Sequence, residues 1–420
     1  MRIQGFVAIN MINLGAFEIA CVAVFWLIVI YRWSRRPGKR LPTVSASQTY
    51  ELDNPPLVSI IVPARNEEDC IGTCIKSLLA QDYPRFEIIA VDDRSDDLTG
   101  AILDSLAETD DRLTVIHGKK IPHNWTGKMY AITQAYKKAR GEWLVFTDAD
   151  TEHDRCLLSG VMALVSKNRV AFATVLGSLR YPTLGAFIAS IAVVAYIFLF
   201  LDSRRRKNQK SRSSMLIGHY VIFSRHAYDA IGTHTAIRRY SSTDVTLGYL
   251  AKMDGWTSLL IDGQSTLKIT PYRSFSDAFF GWSRAMVNGS WSFFGKLLGS
   301  LFLILATGIL SVFWIFPWIG FWWNLFAVDI ASVIANCLQI LAGLAVILLA
   351  RPGLRTAILD VLVMPLSMLL FVAMICTALP AALTRGGTRW KGRVVKTGIH
   401  LPAWKPGPTR SRYPGPPTSS

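Results

Sequence analysis

From Leu297 to Ala350 the chain is apolar for about two bilayer crossings at ~20 residues each. Arg351-Pro352-Gly353-Leu354-Arg355 interrupts it, and a third apolar block, Ala357 to Leu383, follows. A chain that is 51% hydrophobic, with mean hydropathy +0.31, is too apolar for a purely soluble enzyme. Nearer the start, Gly15 to Tyr31 is apolar apart from Glu18, and Arg32, Arg35, Arg36, Lys39 and Arg40 come next. An apolar span followed by a basic cluster predicts an uncleaved anchor with its basic side in the cytoplasm. No small-residue cleavage site follows it, which argues against a removed signal peptide.

The formal charge is +16, and its basic residues gather at 32–40, 204–212 and 385–405, each beside an apolar segment. Attraction to anionic headgroups explains that placement, and no basic-aromatic nucleic-acid module is visible, so no nucleic-acid partner is expected. Two crossings after Leu297 would return the chain at Arg351–Arg355, with the polar domain cytoplasmic. A third would export the basic tail, against the positive-inside tendency. Either Ala357–Leu383 re-enters around Pro365 and Pro380 or the tail breaks that tendency, and a cytoplasmic tail is the expectation. Pro406 to Ser420 reads as disordered. The six cysteines are scattered, and Cys70 and Cys74 have no second pair to complete a zinc site, so reduced thiols are expected.

Between Pro55 and about Tyr272 lies a polar stretch of ~200 residues, the size of one domain. Short apolar runs at 57–63, 87–91, 113–116 and 143–147 predict strands. Helical segments are expected at 67–80, with Asn66 as its cap, at 98–109 and at 127–140. Alternation of strand and helix predicts a parallel, three-layer α/β sheet. The strand C-termini of such a sheet share an edge, where ligands bind. Pro63–Glu67, Asp92–Ser95 and Asp148–Asp150 should converge there. Asp148 and Asp150 are two acids one residue apart at the end of a buried strand. They repel unless a cation intervenes, and a hard divalent ion carrying a phosphate suits them.

The segments Pro63-Ala64-Arg65-Asn66-Glu67, Val91-Asp92-Asp93-Arg94-Ser95-Asp96-Asp97, Asn124-Trp125-Thr126-Gly127-Lys128 and Thr147-Asp148-Ala149-Asp150 come in an order that resembles family 2 glycosyltransferases. So do Gly218-His219-Tyr220, Ala227-Tyr228-Asp229-Ala230-Ile231-Gly232 and Thr243-Asp244-Val245-Thr246-Leu247-Gly248. More narrowly, the chain resembles the membrane-bound lipid branch: carotenoid, hopanoid-associated and ceramide-type enzymes. Arg389-Trp390-Lys391-Gly392-Arg393 is similar to their tails. The resemblance covers residues 55–290 well and the membrane part loosely.

It implies a glycosyltransferase A-type (Rossmann-like) three-layer α/β domain at 55–290, flanked by transmembrane helices. The flanks would be an anchor and basic segment at 1–40, a membrane region at 297–383 and a basic tail at 384–420. It implies an inverting transfer of a sugar from a nucleotide-sugar donor, expected to be a UDP-sugar, to a lipid hydroxyl. A polyprenyl-phosphate acceptor, a polysaccharide synthase and a non-catalytic scaffold are the alternatives. The protein would be a multi-pass protein of a bacterial inner membrane, its catalytic domain cytoplasmic.

Asp92 and Asp93 would bind base and ribose, and Pro63, Ala64, Asn66 and Glu67 would line the donor site. Lys128, at a helix start, would meet a phosphate or ribose. Asp150, helped by Asp148, would hold Mg2+ or Mn2+. The family's general base lies in an acidic pair before a helix. Here Thr243 replaces the first acid and Asp244 remains, so Asp244 is the expected base, with Glu152 or His219 in reserve. The processive synthases and ceramide enzymes carry Gln/Arg-x-x-Arg-Trp. This chain has Gly281-Trp282-Ser283-Arg284-Ala285, which argues against processive synthesis but keeps Arg284 for the diphosphate. Leu184–Leu201 is apolar for 18 residues but lies between Asp150 and Asp244. A lone crossing would put metal site and base on opposite sides of the membrane. It should therefore lie in the interface, or be buried as a core helix.

Overall fold

The computed structural model describes residues 41–200, 216, 218–238, 240, 243–328, 330–350, 358–385, 387–390 and 393–396. The expected anchor at 1–40, the basic clusters at 204–212 and 351–355, and the tail from 397 onward lie outside the described residues.

The chain first alternates strand and helix: β1 (Val58–Ala64), α1 (Ile71–Leu79), β2 (Phe86–Asp92), α2 (Thr99–Ala107), β3 (Leu113–His117), α3 (Gly127–Tyr136) and β4 (Trp143–Thr147). β2 is buried at every position, Glu87 and Asp92 included, as a strand covered on both faces must be. α1 buries Ile71, Cys74, Ile75 and Leu78, one helical stripe. It begins at Ile71 rather than near Glu67, and Asn66 does not cap it. Asn66 sits at φ 50° and its side chain accepts from Asp96 N at 3.0 Å, tying the loop after β1 to the loop after β2. A short polar side chain tolerates this left-handed backbone better than a branched one.

The next elements are β5 (Thr151–His153), α4 (Leu157–Asn168), β6 (Phe172–Leu176), β7 (Ser178–Leu179) and α5 (Leu184–Phe200). Then come β8 (Tyr220–Ser224), α6 (Arg225–Ala230), α7 (Thr233–Ala236), α8 (Thr243–Met253), β9 (Ser258–Asp262) and β10 (Leu267–Ile269). The main sheet has seven strands in the order β3-β2-β1-β4-β8-β6-β9, and β5, β10 and β7 form a second sheet of three. The main sheet is mixed, not wholly parallel as its first four strands suggest. β8 runs antiparallel to both β4 and β6. Its first residue, Tyr220, therefore pairs with Thr147, the last of β4. Two apolar layers cover the faces of the sheet, one around Ile60, Val62 and Val161, the other around Ile61, Met129 and Tyr228.

The rest is largely helical: α9 (Phe275–Trp314), α10 (Phe316–Phe326), α11 (Ile330–Ala350) and α12 (Ile358–Arg385), then the hairpin β11 (Gly387–Trp390) and β12 (Arg393–Lys396). Two stretches, Phe294–Phe326 and Val363–Thr384, are long and apolar enough to cross a membrane. α9 turns sharply at Gly295, whose φ of 77° suits glycine. The turn brings Ser300 back to accept from Trp291 Nε1 at 3.0 Å.

α5 belongs to this helical part. It packs with α9 and α12 around Ala186, Ala189, Val193, Val287 and Phe371. Trp282 Nε1 donates to Ser190 Oγ at 2.8 Å, and the Ala192 amide donates to Ser367 Oγ at 2.9 Å. Such polar contacts between apolar helices fix their register.

Candidate active site

Four strand ends meet at one edge of the sheet. β1 delivers Pro63 and Ala64, β2 delivers Asp92 and Asp93, and β4 delivers Asp148 and Asp150. The antiparallel β8 adds His219 from its start.

The loops after β1 and β2 are stitched together. The Asn66 amide donates to Ser95 Oγ at 3.0 Å, and the Glu67 amide to Thr99 Oγ1 at 2.8 Å. Arg65 Nη1 donates to the carbonyls of Asp93 and Arg94 at 2.8 and 2.9 Å. Asp92 and Asp93 are both buried. Asp92 Oδ1 accepts from the Ser95 amide at 2.9 Å, closing a turn. The Asp93 carboxylate takes Arg94 at 3.3 Å. A rigid, acid-lined corner of this kind can accept hydrogen bonds from a base and a ribose.

Lys128, in the first turn of α3, donates to Asp148 Oδ1 at 2.5 Å. His219 Nδ1 lies 3.3 Å from Asp148 Oδ2. Burial raises the Asp148 pKa, but the Lys128 and His219 charges outweigh it and hold the carboxyl well below the usual range. Burial likewise opposes the charge on Lys128. Asp148, Asp244 and Asp150 reverse that and raise its pKa. His219 follows the same rule: burial lowers its pKa, and Asp148, Asp150 and Asp244 bring it above the ordinary imidazole value.

Asp150 is the acid left over. Burial, then the neighbouring Asp148 charge, push it up to about 7. Its Oδ1 is buried with no hydrogen-bond partner. Among the described residues, Asp148, Asp150 and His219 form a group whose ligand atoms lie within 4.8 Å of one another. An orphaned buried carboxylate beside a second acid and an imidazole fits a divalent cation. His219 stands out only in three dimensions. Its signal was the tripeptide Gly218-His219-Tyr220 ahead of a strand, and antiparallel pairing sets it beside Asp148.

Asp244 opens α8 in its first turn. Its carboxylate packs over Gly218, where a side chain would collide with it. Asp244, Lys128, Asp148, Gly218 and Pro63 line one cavity, whose far wall is Phe146, His234 and Leu247. Glu152, the reserve base, instead pairs with Lys268 at 2.5 Å.

Arg284 lies on α9 and is hydrogen-bonded to Tyr272. Desolvation pushes the half-buried Tyr272 phenol up to about 12, with the nearby Asp150 charge adding to it and Arg284 opposing it, which sets the pair beside the acidic edge. The glycine at 281 has a local reason. A Cβ there would sit in the Tyr272 ring, which meets Trp282 edge-on with centroids 5.2 Å apart.

The profile of glycosyl transferase family 2 matches residues 59–232. A putative teichuronic acid biosynthesis glycosyltransferase, TuaG of Bacillus subtilis, is 32% identical over 118 residues, covering 28% of this chain and 45% of that protein. A beta-monoglucosyldiacylglycerol synthase of Nostoc sp. is 34% identical over 117 residues, covering 27% and 25% respectively. The chain thus spans under half the length of these curated relatives. The mannosyltransferase PcManGT of Pyrobaculum calidifontis, solved with GDP-Man and Mn2+, superposes with a TM-score of 0.49 at 16% identity, over 88% of this chain and 97% of that one.

Proposed function

We propose that the protein, whose residues 59–232 match the family 2 glycosyltransferase profile, is a membrane-bound inverting glycosyltransferase acting on a lipid hydroxyl. The observation that carries this reading is the buried, partnerless Oδ1 of the half-buried Asp150 beside Asp148 and His219, at the edge that also holds Asp92, Asp93 and Asp244.

In this reading Asp92 and Asp93, with Pro63, Ala64, Asn66 and Glu67, hold the nucleoside of a UDP-sugar. Asp150 is the principal ligand of Mg2+ or Mn2+, with Asp148 and His219 in reach. Held there, the ion would supply positive charge to the departing diphosphate. Lys128 keeps Asp148 oriented and adds a cation at the donor phosphates. Arg284, held by Tyr272, approaches the same phosphates from the helical side. Asp244 takes the proton of the acceptor hydroxyl as its oxygen attacks the anomeric carbon. The bond from that carbon to the phosphate oxygen breaks on the opposite face, so configuration inverts. The catalytic domain faces the cytoplasm, and α5, α9 and α12 bring the site to the bilayer surface. The Nostoc relative, by its name a glycolipid synthase, supports a lipid acceptor.

The test uses the full chain in nanodiscs, a panel of UDP- and GDP-sugars, Mn2+, and a bacterial lipid extract. An organic-soluble glycoside stable to mild acid is expected, and Asp150→Ala or EDTA should abolish it. An acid-labile sugar phosphate would replace the hydroxyl acceptor with a polyprenyl phosphate. Transfer that ignores both EDTA and Asp150→Ala would overturn the reading.

A further inference from the structure

A chain of polar groups runs through the apolar layer behind the acidic edge, and no step of the proposed reaction uses it. Ser77 and Cys74 on α1 face Thr151 and His153 on β5 and Thr147 at the end of β4. His153 and Thr147 are buried. Burial alone drags the His153 pKa down to about 3, so the ring is neutral and carries a single N–H.

The hydrogen-bond inventory then assigns the tautomer. Thr147 Oγ1 donates to the His219 carbonyl at 2.7 Å, and Thr151 Oγ1 donates to the Asp148 carbonyl at 2.6 Å. Both hydroxyl protons are thereby used. His153 Nε2 lies 3.1 Å from Thr147 Oγ1 and 3.3 Å from Thr151 Oγ1, so Nε2 must be the protonated nitrogen. Nδ1 is left as an acceptor for Ser77 Oγ at 3.1 Å. Ser77 Oγ in turn accepts the His153 amide at 3.1 Å. Ser77 Oγ also lies 2.7 Å from the Cys74 carbonyl, which competes for the same proton. The relay runs Ser77 to His153 to Thr147 to the His219 carbonyl, with Thr151 holding the Asp148 carbonyl alongside.

We propose that His153, acting through Thr147 and Thr151, is the positioning residue of the cation site, clamping the backbone of Asp148 and of His219 so that their side chains and that of Asp150 converge. The clamp joins two segments that are distant in sequence. Asp148 follows β4 and His219 precedes β8, and beyond the paired strands the backbone adds one long bond, from the Asp148 amide to the His219 carbonyl at 3.4 Å. The threonine hydroxyls fix the two residues that lie just past the paired ends. Buried polar groups in an apolar layer are costly unless fully satisfied, and here each is. Partners behind metal ligands typically set affinity by about tenfold to a hundredfold.

The inference rests on the cation reading above, and the experiment separates the two. Mn2+ affinity is measured by calorimetry on the metal-free full-length protein in detergent, with the melting midpoint recorded in parallel. Thr151→Val keeps the shape and removes the hydroxyl, and Thr151→Ser restores it. Thr151→Val and His153→Phe should each weaken Mn2+ binding by about tenfold to a hundredfold, with Thr151→Ser near wild type. A merely structural role would lower the melting midpoint and leave the affinity of the folded protein alone. If His153→Phe does not fold, the valine and serine pair decides. Loss of Mn2+ in Asp150→Ala with unchanged affinity in Thr151→Val overturns this inference alone. Wild type that binds no Mn2+, or Asp150→Ala that still binds it, overturns both.

Discussion

Replacing Gly218 with alanine should slow sugar transfer by about a hundredfold while sparing donor and metal binding. The new methyl group would point at the Asp244 carboxylate: Oδ1 would lie 2.7 Å from it and the other two carboxyl atoms nearer, where ordinary contact begins at 3.4 Å. Gly218 does not adopt a positive φ, so alanine meets no backbone penalty there. The carboxylate must therefore retreat by about 1 Å. A misplacement of about 1 Å in a reacting group costs about 10²-fold, or about 2.7 kcal/mol at 1.36 kcal/mol per tenfold. The assay is single-turnover transfer to a lipid alcohol, with nucleotide and Mn2+ affinities measured alongside. Asp244→Asn alone should lose about 10²–10⁴-fold. Because both changes act on one group, the double variant should be no slower than Asp244→Asn, a strong non-additivity. Wild-type turnover in Gly218→Ala, or losses that simply multiply, would refute Asp244 as the base.

Other outcomes follow from the same geometry. Asp150 titrates at about 7 in the folded protein against 3.8 ordinarily, so its stabilising contribution is present at low pH and fades as pH rises through 7. His219, also raised, acts in the same direction. The metal-free protein should therefore melt lower at pH 8 than at pH 5, Mn2+ should remove the difference, and a flat profile in thermal unfolding would contradict the assignment. Asp93→Ala should raise the donor KM with little change in kcat, because a base contact is equal in ground and transition states; an unchanged KM in steady-state kinetics would exclude it. Gly281→Ala should destabilise by about 1–3 kcal/mol through overpacking against the Tyr272 ring, and Tyr272→Ala in that background should recover the melting midpoint if the ring is the obstruction.

The first four strands were legible because each is a short apolar run between turn residues, and their alternation with helices announced an α/β sheet. What lay beyond was set by pairing rather than by local pattern. Nothing in Tyr220–Ser224 declares that it runs antiparallel, and that direction alone carries His219 to Asp148. Asn66 looked like a helix cap because asparagine favours that role. Its side chain found a backbone amide on the neighbouring loop instead, and the helix began later. The glycine at 281 read as a departure from a motif, and its cause is an aromatic ring from Tyr272, nine residues earlier. The apolar run at 184–201 showed its helix plainly. Its partners lie on α9 and α12, and no local window contains them.

The bond between the Ala192 amide and Ser367 spans 175 residues of chain. During synthesis the strand-helix alternation up to β4 can close on near neighbours as it emerges. α5 cannot: its mates on α12 leave the ribosome only after almost everything else has been made. For that interval an apolar helix set inside the catalytic unit has only α9 against it. Any shortened gene that stops before α12 strands it there. The half that carries the candidate site therefore should not be harvested as a soluble fragment, and each copy of the protein completes its fold only once α12 has arrived.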